Sequence, residues 1–165
     1  MQFLHINECS AWCRDHSASV TDDWHLVPDA TLVHTQRILF APSGSLGLEP
    51  RVADACLQAF GAWDECLLWI TGWEIWPSSE NWPAFYAARG AAGELTSLHH
   101  KPGHVFRAQE ISALRSFLLF PLVNGWDADV LPAHDGRVSS RLEISHDGWV
   151  DLHTQSARPF ALAAV

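Results

Sequence analysis

From Trp63 to Trp82 the chain reads WDECLLWITGWEIWPSSENW, so five of its nine tryptophans fall in a stretch with four carboxylates, Asp64, Glu65, Glu74 and Glu80, and no Lys or Arg. The chemistry this implies is recognition rather than reaction. Indoles supply rigid contact area and attract cations to their faces, and carboxylates surround them with a negative field. Trp63 ends a helix-like stretch and Trp69 lies inside an apolar run, so both are expected in the core. Trp73, Trp76 and Trp82 differ, because they flank Gly72, Pro77, Ser78 and Ser79 at the carboxyl end of that run. Open α/β sheets place their crevices there. Trp73, Glu74, Trp76, Glu80 and Trp82 therefore form the candidate surface for a basic partner. The plainer reading has these indoles plugging the top of the sheet.

Other groupings are weaker. Cys9, Cys13 and His16 stand at helical spacing and could offer two thiolates and an imidazole to zinc, although structural zinc sites favour tight loop knuckles and two small thiols pack well in a core. His99, His100 and His104 crowd one loop without a carboxylate pattern to complete a site. Asp127 and Asp129 share a strand face, which suits acid–base work or magnesium, yet solvated edge charges that discourage aggregation are the better reading. Ser145, His146 and Asp147 spell a catalytic triad, but adjacent strand residues point to opposite faces and do not converge. Ser43-Gly44-Ser45-Leu46-Gly47 lacks the lysine of a phosphate cradle, and there is no G-x-S-x-G or G-x-G-x-x-G.

The elements that must position these residues follow from periodicity. A first helix is expected over roughly 8–17 behind an Asn7 cap, then a loop with a short strand near 31–34, and a strand over Arg37 to Ala41 stopped by Pro42. Pro50 opens a second helix whose inward stripe is Val52, Cys56, Ala59 and Phe60. Every residue from Cys66 to Ile70 is apolar, the pattern of a central strand covered on both faces. Strand, helix, strand in so short a span predicts a right-handed crossover and a parallel pair. A third helix follows Ser79, then a loop through the histidines, then a fourth helix over roughly 108–122 with Pro121 in its last turn. The last forty or so residues read as an antiparallel meander with turns at Asp135-Gly136 and Asp147-Gly148. In it Trp126, Ala128, Val130, Leu142 and Ile144 face inward, and Asp127, Asp129, Arg141 and Glu143 outward.

These elements imply one α/β domain spanning 1–165: a mixed sheet of about five strands, parallel at its centre, packed by about four helices. Nineteen carboxylates against ten basic residues give a net charge of −9, which argues against nucleic acid and anionic membrane as partners and for a cationic one. The N-terminal residues lack the pattern of a secretory signal, the four cysteines are expected as reduced thiols, and a cytoplasmic protein with no cofactor is the reading.

The blocks RILFAPSG, FGAWDECLLWITGWEIWPSSENW, KPGHVF, NGWDADVL and ISHDGWV resemble those of a set of small bacterial proteins. Such acidic, Trp-rich α/β proteins are similar to the immunity proteins of polymorphic toxin systems, which bind and neutralise a cognate toxin domain. The resemblance implies a protein-binding module. The alternative from the residues is a small-molecule binder or metal-dependent enzyme using the crevice beyond the central strand, with Glu74 or Glu80 and a loop histidine as its polar groups. A third is a homo-oligomer that buries the indoles.

Overall fold

The structure, a computed structural model, describes residues 1–21, 25–27, 29–39, 48–73 and 82–155. In chain order the elements are β1 (Gln2–Leu4), α1 (Ile6–Asp15), β2 (His34–Leu39), α2 (Glu49–Ala59), β3 (Glu65–Gly72), α3 (Trp82–Ala91) and β4 (Gly103–Arg107). A 3-10 turn (Ala108–Glu110) then leads into α4 (Ile111–Asn124), followed by β5 (Asp127–His134), β6 (Arg137–Val138), β7 (Ser140–Ser145) and β8 (Trp149–Thr154). The strands form one sheet of eight in the order β1-β4-β3-β5-β7-β8-β2, with β6 pairing β5 off that path.

Every pairing in this sheet is antiparallel, which overturns the expected sheet of about five strands with a parallel centre. The expectation assumed that the strands on either side of α2 sit together. They run in the same sense, but β5, β7 and β8 lie between them, because the C-terminal meander pairs β5 with β3 and offers β8 to β2. Two short strands absent from the sequence reading, β1 and β4, extend the sheet on the other side of β3.

β3 is the strand the hydrophobic pattern picks out, and its alternation divides the interior in two. Cys66, Leu68 and Ile70 point into a large core with Val52 and Cys56 of α2, Phe60 just after it, Phe85 of α3, Leu114, Phe117 and Leu118 of α4, and the meander residues Val130, Leu142, Ile144, Val150 and Leu152. Leu67 and Trp69 point the other way, into a smaller core with Leu4, Cys9, Trp12 and Cys13 under α1. The inward set expected for the meander, including Trp126 and Ala128, belongs to the large core.

Local signals set the helix ends. The Glu8 carboxylate reaches back to the His5 backbone N–H at 2.7 Å and closes the first turn of α1, one residue pair earlier than an Asn7 cap would place it. Pro50 sits in the first turn of α2. In α4, Pro121 falls in the last turn and Gly125 adopts φ +62°, returning its N–H to the Pro121 carbonyl. Arg115 of α4 grips Asp54 of α2 through two contacts of 2.5 and 2.9 Å, tying together the helices over the large core. Among the described residues no helix is long and apolar enough to cross a membrane.

α1 lies so close to the sheet that Gly103 of β4 has no room for a side chain: a Cβ there would overlap Cys9 Sγ and stand 3.0 Å from Leu4 Cβ. Gly103→Ala is expected to cost about 1–3 kcal/mol by overpacking, and Cys9→Ala, which removes the obstructing sulfur, to recover part of it. Chemical denaturation of the two single variants and the double variant measures this; additive losses would contradict the packing described.

Candidate functional site

The candidate surface begins where β3 ends. Trp73 is half-buried against the large core, with the His99 ring edge-on at 5.0 Å. Trp82 opens α3 and is half-buried too, stacked on Tyr86 at 5.9 Å and tilted on Trp126 at 5.2 Å. Each indole thus has one side on the core and part of its surface in water. Glu74, Trp76 and Glu80 lie outside the described residues. Trp63 and Trp69 are buried, one in each core, as their contexts predict.

The three loop histidines do not converge. His99 lies against Trp73, and His100 uses its carbonyl to accept from the His5 ring at 3.0 Å. His104 belongs to β4 and is fully buried beside Arg89 of α3, which is also 0% exposed. The guanidinium donates to His104 Nε2 at 2.8 Å and to the carbonyls of Lys101 and Thr96, each at 3.0 Å. His104 Nδ1 donates in turn to the Pro102 carbonyl at 3.1 Å. Burial and the neighbouring guanidinium pull the His104 imidazole down to about 3, so it stays neutral and acts as an acceptor. Phe3 and Phe85 flank the guanidinium with ring centroids at 5.0 and 5.6 Å.

Cys9 and Cys13 are buried thiols rather than zinc ligands. Burial raises both, Cys13 to about 12, and His16 turns away to stack on Trp12 at 3.9 Å while donating to the Trp12 carbonyl. Asp64, His134 and Asp135 gather within 4.8 Å of one another at the surface, but all three are exposed, and Asp64 already accepts from the His134 ring and the Asp135 N–H.

On the sheet face opposite the large core, β5, β7, β8 and β2 carry a polar array. One cross-strand row runs Asp129, Glu143, Asp151, Arg37. Arg37 holds Asp151 with two contacts of 2.6 and 2.5 Å and lies 4.2 Å over the Trp149 ring. Arg141 reaches Asp129 at 2.7 Å and Glu143 at 3.3 Å. A cleft of about 350 Å³ opens over this array, with Thr71, Asp127, Asp129, Glu143 and Trp149 among its lining.

Two sequence expectations change here. Asp129 is only 7% exposed and sits on an inner strand, so it is not a solvated edge charge. Asp127 takes His146 instead of pairing with Asp129, accepting from both the backbone N–H and the ring at 2.8 Å. Of the triad letters, Ser145 Oγ accepts the Asp147 N–H at 3.2 Å and His146 Nε2 lies 3.4 Å from Asp147 Oδ1, so the serine oxygen is engaged by the turn backbone rather than by the imidazole. Sequence reasoning missed the Arg89–His104 pair and the cleft. The alternation of the meander marked its faces, but not which segments cover them, and GHVFR was read as part of a loop.

Compared with protein families, with curated proteins and with solved structures, the chain matches none.

Burial outweighs the Arg141 guanidinium at Asp129 and pushes its carboxyl from 3.8 up to about 6. A carboxyl raised in the native state binds its proton more tightly there, so its contribution to stability is complete below about pH 4 and is lost as pH rises through about 6. Asp129→Asn removes this dependence. The stability difference, wild type minus variant, is expected to fall by about 2 kcal/mol between pH 4 and pH 7; a flat difference across that range in urea titrations would contradict it.

Proposed function

We propose that this chain is a cytoplasmic protein-binding module of the immunity type, which neutralises a bacterial toxin by covering a basic surface of it. The observation that supports this reading is the half-exposed placement of Trp73 and Trp82 on either side of the segment 74–81, which itself carries Glu74, Trp76 and Glu80 and no basic residue. An amphipathic ring anchored on one side and wet on the other is the kind of group that dominates protein interfaces, and it loses little side-chain entropy on docking. The net charge of −9 adds steering toward a cationic partner. Internal pairing consumes much of the basic charge, since Arg37, Arg115, Arg141 and Lys101 are each held by a carboxylate. The four cysteines are free and buried, in keeping with a reducing compartment.

A second reading, small-molecule binding or metal-dependent catalysis, has the cleft over β5 and β7 in its favour, whose lining includes the buried Asp129 and Thr71 at the end of β3. It uses the sheet face away from the large core rather than the His99 and His104 loop. Metal analysis of the purified protein separates the two, a stoichiometric transition metal favouring the second.

The test of the first reading is titration against a toxin domain, should one be encoded beside this chain. Trp76→Ala is expected to weaken the complex at least about tenfold, as removal of a central aromatic anchor does, with an unchanged unfolding transition. Raising the salt concentration is expected to slow association rather than speed dissociation. Affinity that ignores both changes would remove the surface from the account.

A further inference from the structure

We infer that the cleft over β5 and β7 binds a small primary alkylamine, its ammonium between the carboxylates of Asp129 and Glu143 and its carbon chain along the Trp149 indole. This rests on the second reading above and narrows it from a small molecule or a metal to an organic cation. Asp129 stands directly opposite Glu143 across the strands, and Ser145 directly opposite Trp149 two residues on. Asp127 lies on the same face as Asp129, roughly 7 Å along the strand. Three carboxylates thus line a space of about 350 Å³ against the one guanidinium of Arg141. The cleft reaches water, since Thr71 and His25 in its lining are exposed and the Glu143 side chain is 36% exposed.

Acidic residues alone do not make a site, and Asp129 supplies what they lack. It is 7% exposed, Arg141 takes its Oδ1 at 2.7 Å, and Oδ2 accepts from no donor among the described residues. A carboxylate withdrawn from water with one oxygen unused is costly until a cation meets it. A single metal ion is a poor match. The group of described residues whose ligand atoms close to within 4.8 Å of one another is Asp64, His134 and Asp135, and the carboxylates of the cleft are not so gathered. An ammonium demands less convergence, because its three donors sit on one small head that two opposed carboxylates can share. Beside them Trp149 and Leu26 offer apolar surface to a carbon chain, and the indole adds attraction for the charge. Arg37 already lies 4.2 Å over that ring, so the fold itself sets a cation against it.

The same burial gives the site a proton to exchange. It holds the Asp129 carboxyl up at about 6, among the titratable and charged groups Arg141 and Glu143 of β7, His153 of β8, Asp127 of its own strand, Cys13 of α1 and His25. An ammonium pairs with the carboxylate and not with the acid, so amine and proton compete below about pH 6.

Titration of the isotope-labelled protein with n-butylamine and with its uncharged counterpart n-butanol, followed by NMR at constant ionic strength, tests the site. The amine is expected to bind with a Kd below about 10 mM and to shift the resonances of Thr71, Ser145 and Trp149, and the alcohol to leave them unmoved. Amine affinity is expected to fall at least about fivefold from pH 6 to pH 5. Asp129→Asn, which keeps the shape of the side chain, is expected to weaken amine binding more than about tenfold and to remove most of that pH dependence. The two titrations and the pH series on the wild type keep the test decisive if the variant fails to fold. Butanol binding as tight as that of butylamine, or a stoichiometric divalent metal at the cleft with no amine bound, overturns the amine and leaves the second reading standing. A cleft that takes none of the three overturns both.

Discussion

The burial of β3 on both of its faces constrains the rest of the chain. Cys66 to Ile70 alternate between two cores, so separate elements must cover each side: α2, α3 and α4 over one, α1 with β1 over the other. A strand so placed needs neighbours on both edges, and β4 and β5 fill them along most of its length. α1 can approach its face only because Gly103 on the adjacent β4 has no side chain. The end of β3 also sets where Trp73 emerges, so the surface assigned to partner binding is a by-product of how the central strand is covered.

Beside that strand, the buried Arg89 of α3 links the loop after its helix to His104 of β4. Taking a guanidinium out of water is costly unless its donors are used; here two backbone carbonyls and the neutral His104 accept from the two terminal nitrogens, Nε is left without a partner, and aromatic faces lie on either side. The carbonyls belong to the loop between α3 and β4, which holds the loop's histidines in place and angles α3 so that Trp82 rests on Trp126. His99 reaches Trp73 from the same loop. What resembled a histidine site in the sequence is, in space, a clamp on the helix that carries the second indole.

Much of this was legible in the residues, and the failures have physical causes. The apolar run of β3, the four helices and the inward set of the meander follow from hydrophobic periodicity, which reports burial directly. Strand adjacency does not follow from it. The crossover rule applies to strands that neighbour one another, and the meander's wedge of β5, β7 and β8 between β2 and β3 is a tertiary choice. β1 and β4 escaped notice because Gln2–Leu4 is too short to show a period, and GHVFR follows Pro102 in a stretch rich in loop residues. For Asp129, alternation gave the correct face. It carried no information on how deeply that face would be buried, and Asp129 is left only 7% exposed. Glu74, Trp76 and Glu80 fall outside the described residues, so the candidate surface rests on its two flanking indoles and on the charge of the sequence between them.

The central claim is that water-accessible indoles sit in a negative field at the end of β3. Collisional quenching of tryptophan fluorescence addresses both halves of it at once, by comparing acrylamide, caesium and iodide on the folded protein. The account predicts a fraction of the emission that acrylamide and caesium quench and iodide spares, because like charge keeps the anion away. Emission that no quencher reaches, or that iodide quenches as well as caesium does, would contradict it.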